Sequence, residues 1–177
     1  MSLLALVFYA AAAVAVVSTV LAISRSSPIH ALLYLIVSLL AVAVMFFTLG
    51  APLAAALEVI VYAGAIVVLF VFVVMMFDLQ GERTKRSAWT SLRTWAGPGV
   101  LSAVLLAELL YVLAAGGSHA LGPRPVPPGE VGLSLFSTYV LGVELAAMLL
   151  LAAVVAAFHL GSRKKASHHR LFEEPTP

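Results

Sequence analysis

Residues 57–78, LEVIVYAGAIVVLFVFVVMMFD, form the stretch around which the rest of the chain is arranged. Between Val59 and Phe77 this stretch carries no charged side chain, and its length suits a crossing of the hydrocarbon core of a bilayer. Its start is unusual for a simple anchor. Glu58 stands four residues before Tyr62, which puts both side chains on one helix face. The stretch therefore predicts a membrane-spanning helix with a role beyond anchoring.

The composition predicts an integral membrane protein. Hydrophobic residues make up 63% of the chain and charged residues 10%, with a mean hydropathy of +1.10. A soluble domain is about half apolar and about one-quarter charged. The chain has no cysteine, which excludes disulfides and cysteine-bound metal or iron–sulfur sites. The net charge of +2 does not indicate nucleic-acid binding, because the basic residues fall in short segments between apolar runs.

Five apolar runs predict an all-α, polytopic fold with five transmembrane helices. Pro28 is expected at the start of the second helix and Pro98 at the start of the fourth. The first run resembles a signal peptide in its alanines, but no positive charge precedes it and it is longer than a typical signal core. The expected helices cover about 3–23, 29–49, 53–77, 98–115 and 134–160, within a transmembrane domain over 1–165 that precedes a flexible polar tail, 166–177.

The distribution of lysine and arginine predicts the orientation of the chain. Five spans put the two ends on opposite sides of the membrane, and every basic residue except Arg124 then falls on one side. Basic residues favour the cytoplasmic side. The N-terminus is therefore expected outside and the C-terminus inside. No internal repeat is visible, which disfavours a transporter built from inverted repeats.

Three carboxyl groups fall inside the predicted spans, where a charge at the bilayer centre costs about 2.5–3.5 kcal/mol on insertion scales. Glu58 is either a proton-exchanging group beside Tyr62 or a carboxyl that reaches water or a neighbouring helix. Glu144 is expected ten residues into the fifth helix, near the bilayer centre, where it must be neutral, paired or facing a hydrated interior. Glu108 is surrounded by leucine and alanine and could face another chain.

The residues that follow Glu58 allow two interpretations. A tyrosine away from the membrane interface usually bonds a partner, so Tyr62 is expected to do so. Gly64, between Ala63 and Ala65, permits a π-bulge or a kink that frees backbone carbonyls. The same three small residues could instead form a close-packing surface for another helix.

Other chemistry is not indicated by the sequence. His30 and His159 fall near the predicted inner interface and could bracket a haem, but histidines near helix ends are ordinary there. His168 and His169 belong to the tail. No phosphate loop, catalytic triad or metal-ligand spacing is present, so neither a catalytic residue nor a metal site is predicted.

Three stretches together resemble the subunit J family of bacterial NADH:quinone oxidoreductase, respiratory complex I. The region 57–76 is similar to the third helix of that family. The start of its second helix resembles 28–36, PIHALLYLI, and its fifth helix resembles 139–151, YVLGVELAAMLLL, which runs on to Ala157-Phe158-His159. The resemblance covers about residues 1–165.

The resemblance implies a multi-pass subunit of the bacterial inner membrane that packs beside subunits H, A, K and N of the membrane arm. It implies no active site and no cofactor in this chain, whereas the parent complex uses FMN, iron–sulfur clusters and quinone. Neither nucleic acid nor a small-molecule substrate is expected to bind this chain alone. A lipid bilayer is its expected surrounding.

The resemblance also implies a role for the third helix. Residues that match Tyr62, Ala63 and Gly64 form a π-bulge that relaxes toward an α-helix, and this change opens or closes a water wire between the quinone region and the proton channels. Glu58 matches a carboxyl of the family. Whether the helix is α or π at rest stays open. The predicted proton-path and gating residues are Glu58, Tyr62, Ala63, Gly64, Ala65 and Glu144.

Two alternatives remain. The chain could be a purely structural scaffold of this assembly, or of a related antiporter or hydrogenase assembly, in which Glu58 and Glu144 only pack. It could also be a stand-alone channel or transporter, which the absence of an internal repeat and of a dense polar pore stripe disfavours.

Overall fold

A computed structural model describes residues 3–78, 92–114 and 124–162, with side chains described for 4–76, 95–114 and 124–162. These residues form helices and connecting turns, and the described part of the chain contains no β-strand. The chain divides into two compact units, Met1–Glu130 and Val131–Pro177.

The first unit begins with a helical hairpin. Helices α1 (Leu3–Ser24) and α2 (Pro28–Thr48) pack along each other. Pro28 is the first residue of α2, as predicted, because a proline lacks only an N–H that would have no partner at that position. Ser27 makes no side-chain cap. Its carbonyl instead accepts the Ala31 N–H at 3.0 Å.

A tight turn at Gly50 joins α2 to the third span. Gly50 has φ 83°, a left-handed conformation that suits a residue without Cβ. The Ala51 N–H bonds to the Phe46 carbonyl at 3.0 Å and the Gly50 N–H bonds to the Phe47 carbonyl at 3.1 Å, which is a Schellman motif. The Val126 N–H bonds to the Gly50 carbonyl at 2.9 Å. The segment before α6 is thereby attached to this turn.

The third span is one continuous rod with three parts. It comprises α3 (Pro52–Leu57), a π-helix (Glu58–Ile66) and α4 (Val67–Asp78). All three parts pack against α2.

Helix α5 (Leu92–Ala114) begins six residues before Pro98, so the prediction that Pro98 starts this helix is wrong. A proline inside a helix removes one backbone bond without necessarily ending the helix. Here the Pro98 side chain is buried. Helix α5 packs against α1 and α2.

The predicted single fifth helix, 134–160, is in fact two helices, α6 (Pro128–Ser137) and α7 (Val140–Gly161). The Thr138 and Tyr139 N–H groups both bond to the Ser134 carbonyl at 3.0 Å, which closes the first helix. The Ser137 hydroxyl donates to the Leu133 carbonyl at 2.6 Å, a bond that helps to bend a helix. Neither α6 nor α7 has a buried residue.

The prediction of an all-α fold with five membrane spans is confirmed. Helices long and apolar enough to cross a bilayer are Leu4–Ser24, Pro28–Thr48, Pro52–Met76, Trp95–Ala114 and Val140–Gly161. The orientation of the termini stays a prediction. The predicted tail, 166–177, lies outside the described residues.

The core of the first unit lies where α1, α2 and α5 meet. Buried side chains form two apolar clusters there. The first cluster consists of Val14, Ala15, Val37, Ala41 and Leu105, and the second consists of Val7, Ala11, Val44 and Val112.

Candidate functional site

The π-helix contains five of the six residues that the sequence singled out. Glu58, Tyr62, Ala63, Gly64 and Ala65 all lie within Glu58–Ile66. At its end the Val67 N–H bonds to the Tyr62 carbonyl, five residues earlier, which is the bond that defines a π-helix. The structure thus answers the question that the sequence left open, since this segment is π rather than α.

Gly64 fits the wide turn because it has no side chain. A Cβ at this position would lie 3.1 Å from the Val59 carbonyl oxygen, five residues earlier, which is closer than an ordinary van der Waals contact. That carbonyl would have to shift by a few tenths of an ångström to admit even a methyl group. The glycine therefore matches the local geometry of the π-helix.

Glu58 and Tyr62 face outward from the first unit. Tyr62 is 50% exposed, and Glu58 is partly exposed. No hydrogen bond joins the two groups among the side chains that the structure describes, and Tyr62 finds no bonding partner there either. The hydrogen bond expected of Tyr62 is thus not made within the described part of this chain. Both polar groups are presented to whatever borders this helix in the membrane.

The rod is buried only beyond the two ends of the π-helix. Ala55 is buried before it and Val67, 1% exposed, is buried after it, while the π-helix itself has no buried residue. All three parts of the rod pack on α2, but only the flanking α-helical turns bury a side chain there. The π-type turns between them are not enclosed by this unit.

Glu144 lies in the second unit, and the prediction that it stands ten residues into one continuous helix is wrong. Because the helix breaks at Thr138 and Tyr139, Glu144 follows the start of α7 at Val140 by four residues. At 1.5 Å per residue this is about 6 Å from the helix start. The Glu144 side chain is exposed.

Glu108 is the polar residue whose placement sequence reasoning missed. Glu108, which could face another chain by its sequence, is half-buried, and its Oε2 atom is buried within this chain without a hydrogen-bond partner among the described residues. The missed signal is its spacing, three residues after Leu105 and four before Val112, which puts it on the buried face of α5.

The two histidines considered for a haem lie in different units. His30 is in the first turn of α2 and His159 is in the last turn of α7. In 3–78, 92–114 and 124–162, no three histidine, aspartate or glutamate side chains are grouped so that they could hold a metal ion. His168 and His169 lie outside the described residues.

Comparison with known proteins gives a consistent result. Residues 18–160 match the family model described as NADH-ubiquinone/plastoquinone oxidoreductase chain 6. The chain is 57% identical over 156 residues to NADH-quinone oxidoreductase subunit J of Pseudomonas aeruginosa, covering 87% of this chain and 94% of the relative. It is 48% identical over 160 residues to the protein of the same name from Escherichia coli strain K12, covering 90% of this chain and 87% of that one. The Buchnera aphidicola (subsp. Schizaphis graminum) protein is 42% identical over 160 residues, covering 90% of this chain and 98% of the relative.

Proposed function

The chain belongs to the NADH-ubiquinone/plastoquinone oxidoreductase chain 6 family, and we propose that it is a membrane-arm subunit of a proton-translocating NADH–quinone oxidoreductase. The identity of its relatives as subunit J of NADH-quinone oxidoreductases supports this role. In this proposal the chain resides in the bacterial inner membrane, with its N-terminus outside, beside subunits H, A, K and N. It carries no active site and no cofactor, while FMN, iron–sulfur clusters and quinone belong to the rest of the complex.

The observation that carries the mechanistic part of the proposal is the exposed π-helix at Glu58–Ile66. Nine consecutive residues adopt a backbone that usually occurs only as single-turn bulges, and such bulges are frequent at functional sites. A structural anchor gains nothing from this geometry, because an α-helix already satisfies every backbone group in lipid. The π-helix is therefore proposed to be the working part of the chain.

In the proposed mechanism, the segment gates a water wire by changing its hydrogen-bond pattern. While the Val67 N–H bonds to the Tyr62 carbonyl, the Ala63 carbonyl lacks the bond that Val67 would give it in an α-helix, and relaxation to the α form restores that bond. A carbonyl freed inside a membrane needs a substitute donor, and water is the small donor that can reach it. The Tyr62 hydroxyl and the Glu58 carboxyl, one turn away, would extend the same chain of hydrogen bonds.

Gly64 is the residue at which this mechanism can be tested. Replacing it by alanine crowds the Val59 carbonyl, and replacing it by valine adds a β-branched side chain that also crowds the adjacent turn. Both changes disfavour the π-type turn, valine more strongly than alanine. We expect the complex to assemble in both variants, while the number of protons moved per electron from NADH decreases in the order wild type, Gly64→Ala, Gly64→Val.

Proton movement and NADH oxidation would be measured together in inverted membrane vesicles, with the amount of assembled complex read from native gels. Gly142→Ala is the matched control, since a Cβ at Gly142 meets no atom within 4 Å in this chain. A fully assembled Gly64→Val complex that pumps with wild-type stoichiometry would exclude the gate and leave a scaffold role.

A further inference from the structure

Glu108 points into the seam between α1, α2 and α5. It lies one helical turn from Leu105 and one turn from Val112, and both of these residues are buried against the other two helices. Its Oε2 atom is likewise buried. One oxygen of the carboxyl thus lies on the packed face of α5, while the residue as a whole is half-buried.

The surroundings of this carboxyl are apolar on both sides along the seam. Leu105 belongs to the first cluster and Val112 to the second, so Glu108 lies between the two clusters. The clusters contribute Ala11 from α1 and Ala41 from α2, both 0% exposed.

No charged group within the seam can pair with Glu108. Helix α1 contains no acidic, basic or histidine residue, and the only such residue in α2 is His30, in its first turn. A bare carboxylate between apolar clusters would be costly, and such a group normally takes up a proton instead. The resulting O–H needs an acceptor, and none is present among the described side chains. Buried polar groups left without a protein partner are commonly satisfied by internal water.

We propose that Glu108 is a resident proton-binding site of this chain, a neutral carboxylic acid hydrogen-bonded to one internal water molecule in the α1–α2–α5 seam. The two apolar clusters flank the site along the helix axes. Its proton stays bound during turnover. This site requires only that the chain is assembled in its membrane complex, and it does not depend on the gating of the π-helix.

Infrared spectroscopy of the purified complex tests the protonation state. The spectrum of wild type minus Glu108→Gln should contain the C=O stretching band of a carboxylic acid. Glu130→Gln is the matched control, because Glu130 is exposed. The spectrum of wild type minus Glu130→Gln should contain carboxylate bands instead of a carboxylic acid band. Carboxylate bands in the spectrum of wild type minus Glu108→Gln would overturn the proposal. Such bands are expected if a cation of another subunit pairs with Glu108. If the glutamine variant fails to assemble, Glu108→Met supplies the same difference spectrum with a side chain of similar length.

Two further readouts test the water and the permanence of the proton. The carboxylic acid band should lie at the lower frequency of a hydrogen-bonded acid and shift in D₂O, whereas a band at the free-acid position would exclude the water. The band should also be missing from the difference spectrum of NADH-reduced minus oxidised complex. Its appearance there would show that the proton leaves during turnover and would overturn the resident site.

Discussion

The Tyr34 hydroxyl on α2 lies in the space that a side chain on Gly97 of α5 would need. A Cβ at Gly97 would overlap that hydroxyl and would lie 3.2 Å from the Tyr34 Cζ atom. Tyr34 is 4% exposed, so its ring has little room to move. On the other side, Arg25 Nη2 donates to the same hydroxyl at 3.4 Å, and the guanidinium carbon lies 5.3 Å from the ring centroid. The α1–α2 turn, α2 and α5 thus meet at one aromatic ring.

Gly97→Ala is expected to destabilise the first unit by about 1–3 kcal/mol, the usual cost of forcing extra atoms into a packed contact. The measurement is the apparent melting temperature of the purified complex, with its assembled yield. Gly99→Ala is the matched control, because a Cβ at Gly99 meets nothing within 4 Å. The double variant Gly97→Ala/Tyr34→Phe removes the overlapping hydroxyl and should recover most of the loss. Equal effects at positions 97 and 99 would contradict the close contact.

Substitutions of Ser38 and Ser18 by alanine are expected to have different effects on stability, although both serines are buried. The Ser38 hydroxyl lies 2.7 Å from Thr19 Oγ1 and bonds to the Ala15 carbonyl at 3.2 Å, joining α2 to α1. Ser38→Ala should cost about 1 kcal/mol, as for other hydrogen bonds between membrane helices. Ser18 is 0% exposed and its hydroxyl has no partner among the described residues, so Ser18→Ala should be neutral or slightly stabilising. Thermal unfolding of the two purified complexes compares them, and a larger loss for Ser18→Ala would refute this account.

Gly50→Ala is expected to strain the turn between α2 and α3. Its φ of 83° costs an L-residue with a Cβ about 1–2 kcal/mol. Asparagine tolerates this conformation better, so Gly50→Asn should be the milder change. Assembly of the complex and its melting temperature would be compared for the two variants. If alanine proved as well tolerated as asparagine, the left-handed conformation at this turn would be ruled out as a constraint.

Glu144 is expected to tolerate glutamine better than leucine. Glutamine keeps the size and part of the hydrogen-bonding capacity of the side chain, whereas leucine removes every polar atom. Both variants would be assayed for protons moved per electron in inverted vesicles, with assembly checked on native gels. Near-wild-type pumping by both would show that this exposed carboxyl has no part in proton transfer.

The five spans could be predicted from the sequence because each is a local run of apolar residues of bilayer length. The limits of the helices could not be predicted in the same way. Pro98 is a plausible first residue on sequence grounds, and only the fold shows that α5 starts at Leu92. The break at Thr138 and Tyr139 depends on two backbone hydrogen bonds to the Ser134 carbonyl. The number of apolar residues in this stretch carries no information about those bonds.

The candidate site was predicted in part. The small-residue patch and the resemblance pointed to a deformable turn at Tyr62–Gly64, but not to a π-helix of nine residues. Alpha and π segments have the same apolar composition and differ in which carbonyl each N–H selects, so hydropathy does not separate them. The inward placement of Glu108 was available from its spacing to Leu105 and Val112.

The π-helix also sets the angle at which the rest of its rod is presented. A run of bonds that span five residues instead of four inserts one extra residue into the helix, and one residue corresponds to about 100° of rotation around an α-helix. Conversion of the whole run to α-type bonds would therefore have to turn α4 about its long axis or remove Val67 from its buried position against α2. Phe70 and Phe72 would then point toward different neighbours. A change of hydrogen-bond register at Tyr62 would thus rotate Met76, about 20 Å away along the axis, about the helix axis rather than move it along that axis.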